Sequence, residues 1–450
     1  MFTPSENWDD LSRKERFDAR FQSWMSTEER AFDTPEAEAT YERRTQRVKD
    51  IVELKKPDRV PLLPWIGGYF AEYAGFTPHD IMYDAEAYSE AWRTFNLDFK
   101  PDYLVFAGYA NPGEAFETLD YQVYRWPGHG IKEETSFQCI EDEYMRADEY
   151  DFLIDNPERY YMSRYMPRAF KALSGWQMLP SVFTTMELPI IPAYITPIGT
   201  PEVQASFKAL LKAGEQALAY GSVVAENEAK LAAKTGMPSL PGGVTKAPFD
   251  IIGDTLRGTR AIMLDLYRRP EKVLAACEAL VPVAVRMGVE TATGQDNPFV
   301  FIPLHKGADS FMSRDTFRKF YWPTFKATIL GLVEQGLVPY HLVEGGYNER
   351  LDIIRDPDIP AGTTYWSFDQ TDMKAAKEAL GGWACIAGNV PSSMLHSGTP
   401  EQVEDTVKEL IDTVGQDGGY AVSNGAVLEH AEAENLRAMV ETCKSYGVYD

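Results

Sequence analysis

The chain has 450 residues and 44% hydrophobic content, which is enough to bury a large core, and its formal net charge is −24. Because this surplus of negative charge repels phosphates and anionic lipids, we expect neither a nucleic-acid partner nor a membrane partner. The four cysteines form no CxxC pair, which argues against a disulfide framework or a thiolate zinc site. No secretory leader pattern opens the sequence and no apolar run approaches about 18 residues, so we expect a cytoplasmic protein.

The first part of the chain, residues 1–55, is rich in charge and carries a thin apolar stripe of Leu11, Phe17, Phe21 and Trp24. This pattern predicts a helical arm that packs on the main domain or on a second subunit. A strand over residues 59–65 follows and leads into paired glycines, which allow a sharp turn or a close approach of the backbone to a ligand. Two helices and a second strand over residues 103–106, leading to Tyr109, complete this part.

Residues 111–200 are irregular and rich in aromatic residues, proline and glycine. Long insertions of this kind in compact domains are usually functional. Three interpretations stay open here: a lid over the site, a contact surface of a homodimer, or a small separate domain. Beyond the insertion, a long helix over 200–234, a glycine- and proline-rich loop and two further helices lead into the central part of the chain.

Between residues 297 and 389, apolar runs alternate with helical stretches, and each run ends in polar or small residues. The polar residues that follow the runs are His305, Lys306, Asp309, His341, Glu344, Asp369, Gln370 and Asn389. Strand and helix units in alternation predict parallel pairing, and a count of about eight strands predicts an α/β fold, the (β/α)8 TIM barrel. Functional side chains would then meet at the carboxyl ends of the strands.

Several stretches resemble the uroporphyrinogen decarboxylase superfamily over roughly residues 50–447, with an interruption at 111–200. They are Pro57-Asp-Arg-Val-Pro, Gly67-Gly-Tyr-Phe-Ala-Glu-Tyr, Tyr267-Arg-Arg-Pro-Glu-Lys-Val, Ser313-Arg-Asp-Thr-Phe-Arg-Lys-Phe-Tyr-Trp-Pro, Gly388-Asn-Val-Pro and Glu434-Asn-Leu-Arg-Ala-Met. The resemblance implies a (β/α)8 barrel over 56–450 with its site at the carboxyl-terminal mouth, behind the helical arm at 1–55. It also implies either porphyrinogen decarboxylation or methyl exchange with a corrinoid.

The decarboxylase branch binds a polyanionic tetrapyrrole with two arginines, an aspartate and a histidine, and this chain departs from that pattern. Pro64 and Gly68 match the arginines, Gly108 matches the aspartate, and residues 423–426 match the loop that carries the histidine. A mouth without those cations would bind a polyanion poorly. A decarboxylase or lyase acting on a tetrapyrrole or a small acid is therefore the alternative function.

The thiol-methylating branch uses zinc held by one histidine and two cysteines. His341 matches that histidine, whereas Val343 and Ala426 stand at the cysteine positions. His341 and Glu344 remain as a harder nitrogen and oxygen pair, which could bind a metal such as zinc with His305 or Asp309. The other interpretation of this pair is a hydrogen-bonded acid and base.

The remaining branch predicts a methyltransferase that moves a methyl group from a small methylated substrate, an aryl methyl ether, to the Co(I) corrinoid of a partner protein. The chain has no Asp-x-His-x-x-Gly cobalamin sequence, so the resemblance implies cobalamin on a corrinoid carrier. Glu344 is the predicted general acid with His341 as its partner, and Asp369 is predicted to orient the substrate or the corrinoid. The residues predicted to line the substrate site are Trp65, Tyr69, Tyr109, His305, Tyr347, Trp366 and Asn389; the last could instead cap a helix.

Overall fold

The computed structural model describes residues 1–105 and 110–449. Its strands are β1 (Tyr124–Pro127), β2 (Gly130–Ile131), β3 (Gln138–Cys139), β4 (Gly243–Val244), β5 (Phe299–Leu304), β6 (Val338–Val343), β7 (Tyr365–Phe368), β8 (Cys385–Ala387) and β9 (Tyr420–Ala421). Its α-helices are α1 (Arg13–Met25), α2 (Pro35–Val52), α3 (Tyr69–Tyr73), α4 (Pro78–Tyr83), α5 (Ala85–Phe99), α6 (Gly113–Leu119), α7 (Tyr150–Asp155), α8 (Pro157–Tyr160), α9 (Met166–Ala169), α10 (Ile191–Ile198), α11 (Pro201–Thr235), α12 (Pro248–Asp250), α13 (Gly258–Arg268), α14 (Pro270–Gly294), α15 (Arg314–Thr316), α16 (Trp322–Glu334), α17 (Leu351–Ile354), α18 (Met373–Leu380), α19 (Ser392–Ser397), α20 (Pro400–Leu410) and α21 (Ala433–Tyr446). Tighter or wider helical turns lie at Trp8–Asp10, Tyr161–Tyr165, Lys171–Met178, Val182–Thr185, Ile251–Leu256, Phe317–Tyr321 and Ile411–Gly415.

The main sheet is a parallel barrel. Strands β4 to β9 pair in chain order, each parallel to the next. Two shorter strand segments complete the barrel: Leu62 bridges Val422 in parallel, and Leu104 bridges Ser239 in parallel. These two segments are joined by a hydrogen bond, in which the Asp102 amide donates to the Leu62 carbonyl at 3.1 Å. The predicted (β/α)8 barrel is confirmed.

Side chains alternate between the barrel interior and the surrounding helices, as the two-residue period of a strand requires. On β6, Tyr340 and Leu342 point inward and pack with Trp65 and Tyr365, whereas Val343 packs with the helical layer. All six residues of β6 are buried. Both faces of the strand are therefore buried.

Helices α1 and α2 of the predicted arm cover the end of the barrel where the strands begin. Phe21 and Trp24 place their rings 5.6 and 5.5 Å from Phe299, the first residue of β5. Arg47 of α2 and the strand segment that contains Leu62 bind the buried Asp102 carboxylate, with Arg47 Nη1 2.6 Å from Asp102 Oδ1. Burial alone would raise the pKa of Asp102, but the charges of its arginine neighbours lower it to about 2.

The insertion builds its own small sheet, in the order β2, β1, β3, and is fixed to the segment that follows β4. The Met145 amide donates to the Leu256 carbonyl at 2.7 Å, and the Tyr150 hydroxyl donates to Asp265 at 2.9 Å. Part of the insertion projects apolar side chains outward, with Phe183 71% and Leu188 83% exposed.

The structure differs from the predicted elements in two places. Strand β4 was not predicted, because Gly243 and Val244 follow a proline- and glycine-rich stretch that is typical of a loop. The strand predicted over residues 59–65 is held by isolated bridges rather than by a continuous ladder. Among the helices formed by the described residues, none combines the length and apolar character that crossing a bilayer would require.

Candidate active site at the barrel mouth

The carboxyl ends of three neighbouring strands bring a cluster of charged side chains together. Lys246 and Asp254 follow β4, His305 follows β5 directly, and Glu344 follows β6 directly. Because parallel strands end at the same rim, residues far apart in sequence meet at this mouth. Asp369, directly after β7, lies beside them and accepts a hydrogen bond from the Gly345 amide at 3.1 Å.

His305 is the centre of the cluster. Its Nδ1 lies 2.6 Å from Asp254 Oδ2, and its Nε2 lies 3.4 Å from Glu344 Oε2. Burial alone would lower the pKa of His305, but the hydrogen bond and charge of Asp254, with the charge of Glu344, raise it. The imidazole is therefore favoured in its protonated form, with one N–H directed to each carboxylate.

Asp254 contacts the positively charged side chains of the mouth. Lys246 Nζ donates to its Oδ2 at 2.6 Å, and Lys306 Nζ lies 3.4 Å from its Oδ1. Burial would raise the pKa of Asp254, but the hydrogen bonds and charges of His305 and Lys246 hold it well below the usual range. Asp254 is thus an ionised anchor for His305.

Asp250 supports the cluster from behind. Its carboxylate accepts the backbone N–H groups of His305 at 3.2 Å and Lys306 at 3.0 Å, and the Tyr321 hydroxyl at 2.7 Å. These bonds fix the backbone that carries His305. Burial, followed by the charge of Asp254, raises the pKa of Asp250.

Glu344 is the carboxyl group of the cluster that faces outward, with 43% of its side chain exposed. It nevertheless stands against the protein wall among other acids. Partial burial is the largest cause that raises the pKa of Glu344, and the charges of Asp254, Asp369 and Asp250 raise it further. The charge of His305 acts in the opposite direction but does not cancel these effects. Glu344 can therefore hold a proton at a higher pH than an ordinary glutamate.

The predicted pairing of His341 with Glu344 is wrong. His341 lies on the outward face of β6, where its ring is 3.9 Å from the Trp366 ring and 5.4 Å from the Phe325 ring. Its Nδ1 lies 2.9 Å from the Tyr365 carbonyl oxygen, and its Nε2 is buried with no hydrogen-bond partner among the described residues. Burial lowers its pKa to about 3, so the ring is neutral.

The residues predicted to line the substrate site do not lie together in the structure. Trp65 is buried inside the barrel, and its indole N–H donates to Ser367 Oγ at 2.9 Å. Tyr69 and Trp366 face the helical layer instead, with Tyr69 packed against Phe95, so the prediction that these two line the mouth is wrong. Tyr347 is wholly buried beside Phe317 and its predicted place in an open pocket is wrong. Tyr109 lies outside the described residues.

Asn389 and Asp309 brace loops rather than the cluster. The Asn389 amide donates to the carbonyl oxygens of Asp369 at 3.0 Å and Thr371 at 2.7 Å, so it positions the loop that carries Asp369. Asp309 accepts the Glu349 amide at 3.2 Å. Its Oδ1 lies 3.5 Å from Arg350 Nε, so these contacts tie Asp309 to the segment that follows β6.

Three members of the cluster, Asp254, Asp250 and Lys246, were not singled out from the sequence. Their signal was present, because aspartates four residues apart follow a short apolar segment in a glycine-bearing loop. Without the recognition of β4, nothing placed that loop at the mouth.

The residues present do not fit the predicted metal site. His341 faces the helices and Glu344 faces the mouth, so the two cannot share an ion in this arrangement. Both ring nitrogens of His305 are directed to carboxylates. Over residues 1–105 and 110–449, no group of three histidine, cysteine or acidic side chains is arranged to hold a metal ion.

Comparison with known proteins gives the family. The profile of the uroporphyrinogen decarboxylase (URO-D) family matches residues 205–446. The chain belongs to this family. A solved methyltransferase from Methanosarcina mazei has a similar fold, with a TM-score of 0.57, 12% sequence identity and coverage of 90% of this chain and 98% of the other. No curated protein sequence matches.

The URO-D match contains the whole charged cluster, from Lys246 to Asp369, and begins after the insertion at 111–200. Family membership indicates an enzyme with its site at the mouth.

Proposed function

We propose that the chain is a methyltransferase that takes the methyl group of an aryl methyl ether and delivers it to the Co(I) corrinoid of a partner protein. The observation that carries this proposal is the row Asp254, His305, Glu344, which ends in a carboxyl group facing the mouth. The fold of the methyltransferase from Methanosarcina mazei is compatible with methyl transfer on this barrel, although a shared fold alone does not assign an activity.

The chemical need in such a reaction lies at the leaving group. When the bond between the methyl carbon and the ether oxygen breaks, the oxygen keeps the electron pair and leaves poorly unless it gains a proton. The raised pKa of Glu344 favours the protonated form of this carboxyl group more than in an ordinary glutamate. We assign Glu344 as the acid that protonates the departing oxygen, so that a neutral phenol leaves.

His305 and Asp254 prepare this acid. His305 Nε2 lies 3.4 Å from Glu344, close enough to stabilise the carboxylate that remains after proton donation. Asp254 holds the other side of the imidazole and fixes its orientation. The exposed side of Glu344 can then regain a proton from water.

The methyl acceptor would arrive on a corrinoid carrier protein, and the corrinoid supplies a strong cobalt nucleophile. Beside the mouth lies a groove of about 820 Å³. Its lining includes the neutral polar side chains of Asn348, Gln370, Asn389 and Ser392, together with the charged side chains of Asp369, Asp372, Lys374 and Glu409. Amide and hydroxyl groups suit the carboxamide side chains of a corrin ring. This lining supports the proposed partner and a role for Asp369 and Gln370 in orienting it.

Tetrapyrrole decarboxylation is not favoured by the mouth. Its cations, Lys246, Lys306 and His305, all contact Asp254 within the described structure. They are therefore committed to an internal carboxylate. A substrate with several carboxylates would meet Glu344 and Asp369 instead.

The test is a donor panel. Purified protein is mixed with reduced corrinoid, free and on its carrier, and with methoxyarenes, methylamines and methyl thioethers, while absorbance reports methyl-cobalt formation. We expect methoxyarenes to react, and Glu344→Gln to lose this activity while a surface control, Glu349→Gln, keeps it. No methyl-cobalt formation with any donor would overturn the proposal.

A further inference from the structure

The insertion and α4 line a partly open cavity of about 360 Å³. Its lining is mostly aromatic: Phe116, Tyr121, Tyr124, Trp126, Phe137 and Phe170. Among the described residues that line it, none carries a charged side chain. A cavity of this size lies at the lower end of the range for small-molecule sites.

The rings are held in fixed orientations by one another. Tyr121 stacks on Phe170 with centroids 4.7 Å apart and planes inclined by 17°, and Phe116 meets Trp126 edge to face at 5.8 Å. The Trp126 indole N–H donates to the Tyr83 hydroxyl at 3.0 Å, which ties the wall to α4. Phe116, Tyr121 and Phe170 are half-buried. Rigid rings with free surface favour a flat aromatic guest, which can stack or meet them edge to face.

The cavity is joined to the charged cluster through β1 and β3. Tyr124 on β1 pairs with Cys139 on β3. Two residues beyond Cys139, Glu141 accepts from Lys306 Nζ at 3.0 Å. Tyr124 also lines the cavity. Burial first, and then the charges of Asp254 and Glu344, raise the pKa of its hydroxyl to about 12, so the hydroxyl is neutral.

We propose that this cavity binds the aryl ring of the methyl donor and that the insertion thereby sets substrate specificity. The inference rests on the proposed function, since it names where the aromatic part of the donor is held. A neutral planar ring can stack on the uncharged lining. A quaternary ammonium ion, which aromatic walls also bind, is the competing guest that the experiment must separate from it. The ether oxygen would extend past Tyr124 toward Glu344.

The experiment measures binding without corrinoid, so that it does not depend on methyl transfer. The full chain is titrated by calorimetry with 2-methoxyphenol, with cyclohexanol as a non-planar ring and with tetramethylammonium chloride as a cation. We expect 2-methoxyphenol to bind most tightly. Phe116→Ala should weaken its binding roughly tenfold, because one wall of the cavity is lost.

The matched control is Phe152→Ala, another half-buried phenylalanine of the insertion, whose ring packs on Tyr160 at 5.6 Å away from the cavity lining. Binding should be unchanged in this variant. Should Phe116→Ala fail to fold, Phe170→Leu tests another ring of the lining. In turnover, both cavity variants should raise KM for the aryl donor with little change in kcat.

The outcomes separate the two proposals. Equal affinity for cyclohexanol, preference for the cation, or unchanged binding in both cavity variants would overturn the aryl cavity. Arene binding that is lost in the cavity variants, without methyl transfer from any donor, would support the aryl cavity and overturn the proposed reaction. Methyl transfer from an aryl ether with unaltered KM in both cavity variants would overturn the cavity and leave the reaction.

Discussion

The two histidines on neighbouring strands, His305 and His341, give a direct test of which one serves the site. Replacement of His341 by leucine removes a hydrogen bond to the Tyr365 carbonyl and a stacking contact with Trp366, each worth about 1 kcal/mol. It also removes the unpartnered Nε2, whose burial costs about 1–3 kcal/mol. These terms nearly cancel, so the free energy of unfolding should change little.

For a chain of 450 residues, a net change of about 1 kcal/mol shifts Tm by only about 1 °C. The methyl-transfer rate of His341→Leu should stay close to that of the native protein, because the ring is neutral and faces the helices. His305→Gln removes the group between Asp254 and Glu344 and should lower the rate by about two orders of magnitude.

The assay compares initial rates of methyl-cobalt formation with thermal unfolding followed by circular dichroism for the two variants. Equal rate losses in His341→Leu and His305→Gln, with Tm preserved in both, would refute the assignment of roles from side-chain direction. Full activity in His305→Gln would refute the role of the cluster itself.

Further expectations concern Glu344, Asp254 and the buried Asp102 beside the helical arm. Glu344→Gln should make the rate depend more steeply on the acidity of the departing phenol, since only good leaving groups react without a proton; a series of substituted anisoles measures this. Asp254→Asn removes the carboxylate that Lys246 and His305 contact at 2.6 Å and should lower stability by about 3 kcal/mol and Tm by about 3 °C, with the pKa of His305 lowered in NMR titrations. Because the pKa values of Glu344 and His305 are both raised, their protonated forms exist below those values, so activity should fall as pH rises through them; a pH-rate profile that rises instead contradicts the proton-donor role. At the other end of the barrel, the pKa of Asp102 is lowered to about 2, so its contribution to stability is complete above about pH 4 and is lost as pH falls toward 2. Asp102→Asn should remove that acid dependence of unfolding and leave kcat unchanged.

The strands of the barrel could be predicted from the sequence where an apolar run is bounded by polar residues. Strands β5 and β6 agree with the predicted runs to within a few residues. Strand β4 could not be recognised, since its two residues contribute little hydrophobic signal and its pairing depends on β5, which lies more than fifty residues later. Long-range pairing of this kind decides structure where local propensity is weak.

The direction of His341 could not be predicted for a different reason. In a half-exposed strand, the polar residues mark the outer face, but β6 is buried on both faces. Sequence alternation then carries no information about which face meets the helices. Glu344 was predicted correctly to lie at the mouth because it follows the last residue of β6, where no such ambiguity exists.

The charge arrangement of the mouth explains why the pKa of Glu344 is raised. Lys246, Lys306 and His305 all contact Asp254, whereas of these three only His305 lies near Glu344, at 3.4 Å. Positive charge is therefore concentrated around Asp254. Glu344 is left with His305 as a positive neighbour, which does not offset the negative charges of the nearby acids. A charge-conserving exchange at Lys246, such as Lys246→Arg, should preserve the pH-rate profile, while Lys246→Met should move it, because His305 alone would then share Asp254 with Lys306.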